Sequence, residues 1–222
     1  METQTSQPLN PWLSIWFRPR ATIRYIVDTD PAYRVHLLAV LYGLVQGLDS
    51  AINRSLGDLF PWYGVLLLVL IVGSLVGGLL NLYVGSAILW WVGRKLEGGG
   101  TFDGVRAAYA WSLLPVIAGG IFFLPYILLF RGESFTSATP RADAILSQNS
   151  AFLFIMIAVG IWMVVGSIVL TIWQLVILSK TLAEVHGFSA WRGLLTFLIP
   201  GIVVFIVLFV FLALSHAIYI GP

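Results

Sequence analysis

Cysteine is absent from the chain, which excludes disulfides, thiolate catalysis and cysteine-ligated metal centres and leaves the redox compartment undetermined. Charge is scarce as well. Lys, Arg, Asp and Glu make up 10% of the 222 residues, whereas a soluble domain carries about a quarter. With 59% apolar residues and a mean hydropathy of +0.95, the chain cannot offer water a wettable surface. The net charge is only +2 and no basic stripe occurs, so nucleic acid is not an expected partner. No His-Glu-x-x-His, paired carboxylates or phosphate-cradling loop is found, and His36, His186 and His216 are far apart in the sequence. Val-Gly-Ser occurs at Val72, Val84 and Val165 without a Gly-x-Ser-x-Gly frame. Neither an enzyme nor a cofactor is expected. Residues 1–10 lack Lys and Arg and no apolar run follows within the first 30, so no cleavable leader is expected either.

What is present is a series of long uncharged stretches. Crossing a hydrocarbon core of roughly 30 Å takes about 20 apolar residues. Pro61–Gly93, Ala107–Phe130 and Ala144–Ser179 carry no Asp, Glu, Lys or Arg, and neither does the chain from Gly193 onward. A weaker candidate runs from Val35 and contains Gln46 and Asp49. The expectation is an all-α membrane bundle of about five helices, with spans near 35–54, 61–93, 107–130, 150–180 and 193–216. Residues 1–34 form a separate N-terminal segment. Trp62, Tyr63, Trp90, Trp91 and Trp191 fall at span ends, where aromatic rings settle at headgroup level. The second and fourth stretches exceed one bilayer thickness, and tilt or projection accounts for them better than a hidden turn near Gly77-Gly78 or Gly166.

The basic residues set an orientation. Arg18, Arg20, Arg24, Arg34, Arg94, Lys95, Arg106, Lys180 and Arg192 fall on one side, against Arg54, Arg131 and Arg141 on the other. Nine against three predicts a cytoplasmic N-terminus and an external C-terminus in a plasma membrane, which in a bacterium is the inner membrane. Arg94-Lys95-Leu96 through Arg106 also aligns with Lys180-Thr181-Leu182 through Arg192 at an offset of 86. This alignment hints that two helical hairpins repeat in parallel.

The most distinctive segment is Asn10-Pro-Trp-Leu-Ser-Ile-Trp-Phe-Arg-Pro-Arg. Pro19 divides it into two short helices. Trp12, Ile15, Trp16 and Ile23 offer an apolar face, and Phe17, Arg18, Arg20 and Arg24 lie beside it. That pattern predicts an interfacial helix touching the bilayer, its anionic headgroups or a partner, together with Arg94, Lys95 and Arg106 of the second loop. Gly73-x-x-x-Gly77 in the second span predicts close packing with the fourth span or with a second copy. Asp49, Asn81 and Gln174 are polar at membrane depth, where such groups bond across helices or mark a path. A polar site between spans two and four would make the chain a small transporter, channel or lipid-moving protein. Gly98-Gly99-Gly100 reads as a flexible turn.

Several stretches occur in the order seen in one family. Pro11-Trp12 through Arg18-Pro19-Arg20 is followed by Asp30-Pro31, and the glycine-rich second span leads to Gly-Gly-Gly-Thr-Phe102. Then come Tyr109-Ala-Trp-Ser112-Leu-Leu-Pro115 and Val185-His186-Gly187-Phe188. In these features, over residues from about 10 to 215, the chain resembles a bacterial-type member of the Yip family, the Ypt/Rab-interacting membrane proteins. The resemblance implies five spans, a cytoplasmic N-terminus and a non-enzymatic role as a membrane-organising scaffold or adaptor. Eukaryotic members associate with Rab GTPases. This chain carries neither their long polar N-terminal domain nor their Asp-Leu-Tyr-Gly-Pro motif, so the resemblance implies the fold rather than GTPase binding.

Overall fold

A computed structural model describes residues 10–148 and 150–219. Two short helices come first, α1 (Pro11–Phe17) and α2 (Pro19–Thr29). The Asn10 side chain caps α1 by accepting from the Trp12 N–H, and a proline opens each helix, where its missing N–H costs nothing. The first span is α3 (Val35–Asn53). The second is a continuous rod made of α4 (Trp62–Leu68), a π-helical stretch (Val69–Gly77) and α5 (Gly78–Lys95).

The third span is broken into α6 (Phe102–Ser112), α7 (Leu114–Gly119) and α8 (Phe123–Phe130). Pro115 sits in the first turn of α7 and causes the break after α6. A short α9 (Pro140–Gln148) precedes the fourth span, α10 (Ser150–His186), and the fifth is α11 (Ala190–Tyr219). Among the described residues, five helical runs are long and apolar enough to cross a membrane, as the sequence predicted. No turn interrupts α10 at Gly166 or the second span at Gly77-Gly78.

The excess length of the second and fourth spans is resolved by overhang. His36, one residue into α3, meets the Tyr83 hydroxyl at 2.9 Å. Tyr83 lies twelve residues before α5 ends at Lys95, so the second span continues about 18 Å past the start of the first at 1.5 Å per residue. The 19 residues of α3 extend about 28 Å by the same rise, close to one hydrocarbon thickness. Around the overhang, α1, α2, α6 and the last turns of α10 enclose a packed core that includes Ile15, Ile23, Ile26, Leu89, Trp111 and Leu182. This is the basic end of the molecule. Towards the opposite end the fourth and fifth spans expose long apolar faces, such as Ile161, Trp162, Phe205 and Phe209, as lipid contact requires.

The glycine-rich part of the second span packs against α3, not against the fourth span. A Cβ at Gly43 would come within 2.5 Å of the Gly73 carbonyl oxygen, one at Gly73 within 2.9 Å of the Gly47 Cα, and one at Gly78 would run into the Ala39 carbonyl. Ser74 adds a hydrogen bond from its hydroxyl to the Val40 carbonyl, 2.9 Å long. Gly77 is exposed and has only its own helix's Val72 carbonyl nearby. The physical reason is the π-helical stretch. Its i→i+5 bonding moves the residue below Gly73 from position 77 to position 78. The small-residue face expected to pair with another copy is therefore filled within the chain.

Candidate functional site

At the basic end the two hairpin turns meet. Both helices end in a residue of left-handed backbone, Glu97 (φ +66°) after α5 and Gly187 (φ +75°) after α10. The Gly98 N–H then bonds to the Gly93 carbonyl (2.9 Å) and the Phe188 N–H to that of Ala183 (3.0 Å). These are matching Schellman caps. Their left-handed residues lie 187 − 97 = 90 apart, and the helix-opening residues Thr101 and Ser189, which accept from Gly104 and Arg192, lie 189 − 101 = 88 apart. The offset of 86 found in the sequence is not the structural register. It pairs Gly100 with His186, and those two residues touch.

Gly98-Gly99-Gly100 is consequently a cradle and not a free turn. The Gly100 N–H donates to His186 Nδ1 at 3.2 Å, and the Gly99 N–H donates to the His186 carbonyl at 3.0 Å. A Cβ at Gly98 or Gly100 would overlap the imidazole, as would one at Gly93. Phe188 stacks on the ring at 5.0 Å with planes 10° apart. An accepting Nδ1 leaves the ring proton of a neutral imidazole on Nε2, and that atom is buried without a partner among the described residues. His186, Gly187 and Phe188 thus lock the second loop to the α10–α11 turn.

The other positions of the family pattern serve the same core. The Tyr109 hydroxyl donates to Asn81 Oδ1 at 2.7 Å, and the Ser112 hydroxyl donates to the Tyr109 carbonyl at 2.6 Å. Asn81 is therefore engaged by the third span. Gln174, half-buried on α10, lines neither of the two cavities beside α3, so the structure does not join Asn81 and Gln174 into one site between spans two and four.

The N-terminal hairpin departs from an interfacial helix lying on lipid. Its apolar face packs inward. Ile15, Ile23 and Ile26 are buried, Trp12 meets Trp111 edge-on at 5.3 Å, and Trp16 packs on the same core. Trp111 is fixed further by stacking with Tyr33 at 6.1 Å and by donating its indole N–H to the Tyr33 carbonyl at 3.3 Å. Packing Trp12 and Ile15 on the bundle removes their apolar area from water, which stabilises the inward orientation of this face.

What remains outside is Leu13 (67% exposed) and Phe17 (83% exposed), four apart on one face of α1, with exposed Arg18 and Arg20 beyond. Arg24 is committed to Glu184 of α10 through its Nε at 2.6 Å. Arg106 is committed to Asp103 at 2.9 Å and lies over the Tyr83 and Phe102 rings. Arg94 is exposed, and Lys95 folds over Trp91 at 5.7 Å. Of the basic residues singled out in the sequence, the structure leaves Arg18, Arg20, Arg94 and Lys95 without a side-chain ion pair among the described residues. Sequence reasoning missed Leu13, because its apolar neighbours at positions 12, 15 and 16 gave no hint of which would turn inward.

Two concavities flank α3. One, of about 340 Å³, lies between α3, the α7–α8 region and α10, and Asp49, Gln46, Ser167 and Thr171 line it. The other, of about 460 Å³, lies between α3 and the π-helical stretch, lined by Tyr42, Gln46, Ser50, Arg54 and Asn81 among others. Gln46 belongs to both.

The family model described as the Yip1 domain matches residues 13–212, from α1 to within α11. No curated protein and no solved structure matches the chain.

Proposed function

This chain belongs to the Yip1 domain family, and we propose that it works as a non-enzymatic multi-pass membrane scaffold or adaptor whose basic end faces the cytoplasm. The observation that carries this reading is the hairpin α1–α2. It is pinned to the bundle by Trp12, Ile15 and Ile23 and still presents Leu13, Phe17, Arg18 and Arg20 outward. A rigid element that turns an aromatic and two cations away from its own core is suited to a surface carrying apolar and anionic groups, because little ordering cost remains when it binds. The nine-to-three distribution of Lys and Arg supports the cytoplasmic placement.

The test is a full-length triple variant, Phe17→Ser, Arg18→Gln and Arg20→Gln, compared with the wild type after extraction in mild detergent. None of the three residues contributes to the buried core, so span packing and thermal stability stay unchanged. Interactions with co-purifying proteins and any cellular phenotype weaken together. If both are unaltered while the variant is folded, the hairpin is not the working surface and the reading is wrong.

A further inference from the structure

The two turns at the basic end are joined through one imidazole. His186 ends α10 in the overhang and is 4% exposed. Its Nδ1 accepts from the Gly100 N–H, and its Nε2 has no partner among the described residues. A Cβ on Gly93 would overlap Nε2, so that atom faces backbone carbon. Adding a proton would set a second donor on Nδ1, against the Gly100 donor, and a full charge where water does not reach. Phe188 offers its face to a cation, but in a parallel stack neither ring N–H points at it. The neighbouring carboxylates are committed elsewhere. Glu97 in the α5 turn pairs with Arg192 of α11, Glu184 of α10 with Arg24 of α2, and Asp103 with Arg106 within α6. Asp28 on α2 is exposed. Arg94 and Lys95 on α5 are themselves basic. Burial lowers the pKa of His186 from its ordinary value, and the Arg94 charge lowers it further.

We infer that His186 is an acid-sensitive latch, which ties the α5–α6 turn to the α10–α11 turn while the ring is neutral and releases it when the ring is protonated. The latched ring takes up a proton less readily than a free imidazole. The closed junction therefore keeps its full stability above the ordinary imidazole value of about 6.5, and loses it as pH falls from there through the lowered value. Once acid has protonated both forms, opening is favoured by the ratio of their acidity constants. Release is local. The bonds from the Gly99 and Gly100 amides to His186 go together, and the exposed Glu97–Arg192 pair cannot hold the turns by itself, because such pairs contribute little. Gly98-Gly99-Gly100, with no side chain to anchor it once the ring has left, then becomes the flexible turn that its composition predicts, with Arg94 and Lys95 at its edge.

The experiment follows hydrogen exchange of the Gly99 and Gly100 amides in the full chain, held in lipid nanodiscs, at about pH 7.5 and about pH 5. Labelling times are scaled for the intrinsic pH dependence of exchange. Protection in the wild type falls about tenfold or more on acidification and returns on neutralisation. The isotope-labelled His186 imidazole, followed by NMR in the same preparation, takes up its proton over the pH range in which protection falls. His186→Asn keeps an acceptor near the place of Nδ1 but cannot take up a proton, so its protection is the same at both pH values, whatever its level. Glu97→Gln removes the ion pair across the turns and keeps the wild-type fall. Wild-type protection unchanged by acid, a protonated His186 with both amides still protected, or an equal fall in His186→Asn overturns the latch. Loss of the fall in Glu97→Gln assigns the acid sensitivity to the Glu97–Arg192 pair and overturns it as well.

Discussion

Substituting alanine at Gly77 and at Gly78 separates the structural account from a motif-based one. The Gly73-x-x-x-Gly77 spacing says that position 77 is the contact, whereas the π-helical stretch puts Gly78 there. A methyl at 78 runs into the Ala39 carbonyl, which is backbone and cannot swing aside. The two helices must part, and a gap of about 0.5–1 Å forfeits roughly a quarter to a half of each dispersion contact along the seam. Overpacking of this kind costs about 1–3 kcal/mol. The gain in helix propensity on replacing glycine, up to about 1 kcal/mol, is common to both variants and cancels in the comparison. Gly78→Ala is therefore less stable than Gly77→Ala by about 1–3 kcal/mol, or roughly 2–12 °C in Tm for a chain of this size. Thermal unfolding of the two purified variants in one detergent measures the difference directly. Equal midpoints, or a lower one for Gly77→Ala, refute the assignment of the seam.

Two further outcomes follow from buried polar groups. His186→Ala removes the acceptor of the Gly100 N–H and empties the space that Gly93, Gly98 and Gly100 leave for the ring. It lowers stability by about 2–4 kcal/mol, and protease sensitivity rises in the loop at residues 96–101 and at the α10–α11 turn together. Asn81→Leu strands the Tyr109 hydroxyl at a cost of about 1–3 kcal/mol. Tyr109→Phe in that background restores part of the loss, and a double-mutant cycle on thermal midpoints reads the coupling.

The number and kind of the spans were legible because hydropathy over 20 or more residues is a sum and tolerates local error. The overhang at the basic end was legible only as excess length. Nothing in Pro61–Gly93 marks Tyr83 as the residue level with the start of α3, since that level is set by a partner, His36, far away in the sequence. The π-helical stretch was invisible for a related reason. Val69–Gly77 reads as an ordinary apolar helix, and the phase change is dictated by the fit of Gly73 and Gly78 onto Gly43 and Gly47. At the candidate site, the sequence assigned Arg18, Arg20, Arg24 and Arg106 alike to a membrane or partner surface. Arg18 and Arg20 are exposed, whereas Glu184 approaches Arg24 from the fourth span and Asp103 pairs with Arg106 within α6. The His186 cradle was half visible. The offset of 86 drew Gly100 and His186 together as supposed equivalents, and the structure makes them partners.

The five-crossing arrangement with its basic end in the cytoplasm underlies every functional statement above, and single cysteines test it without background in a chain that has none. Glu97→Cys and Ser189→Cys sit in the two turns at the basic end, and Ser137→Cys lies in the loop that bonds to Asp58 at the other. A membrane-impermeant maleimide applied to intact cells labels position 137 and spares 97 and 189 until the membrane is opened. Labelling of 97 and 137 from the same side contradicts the account.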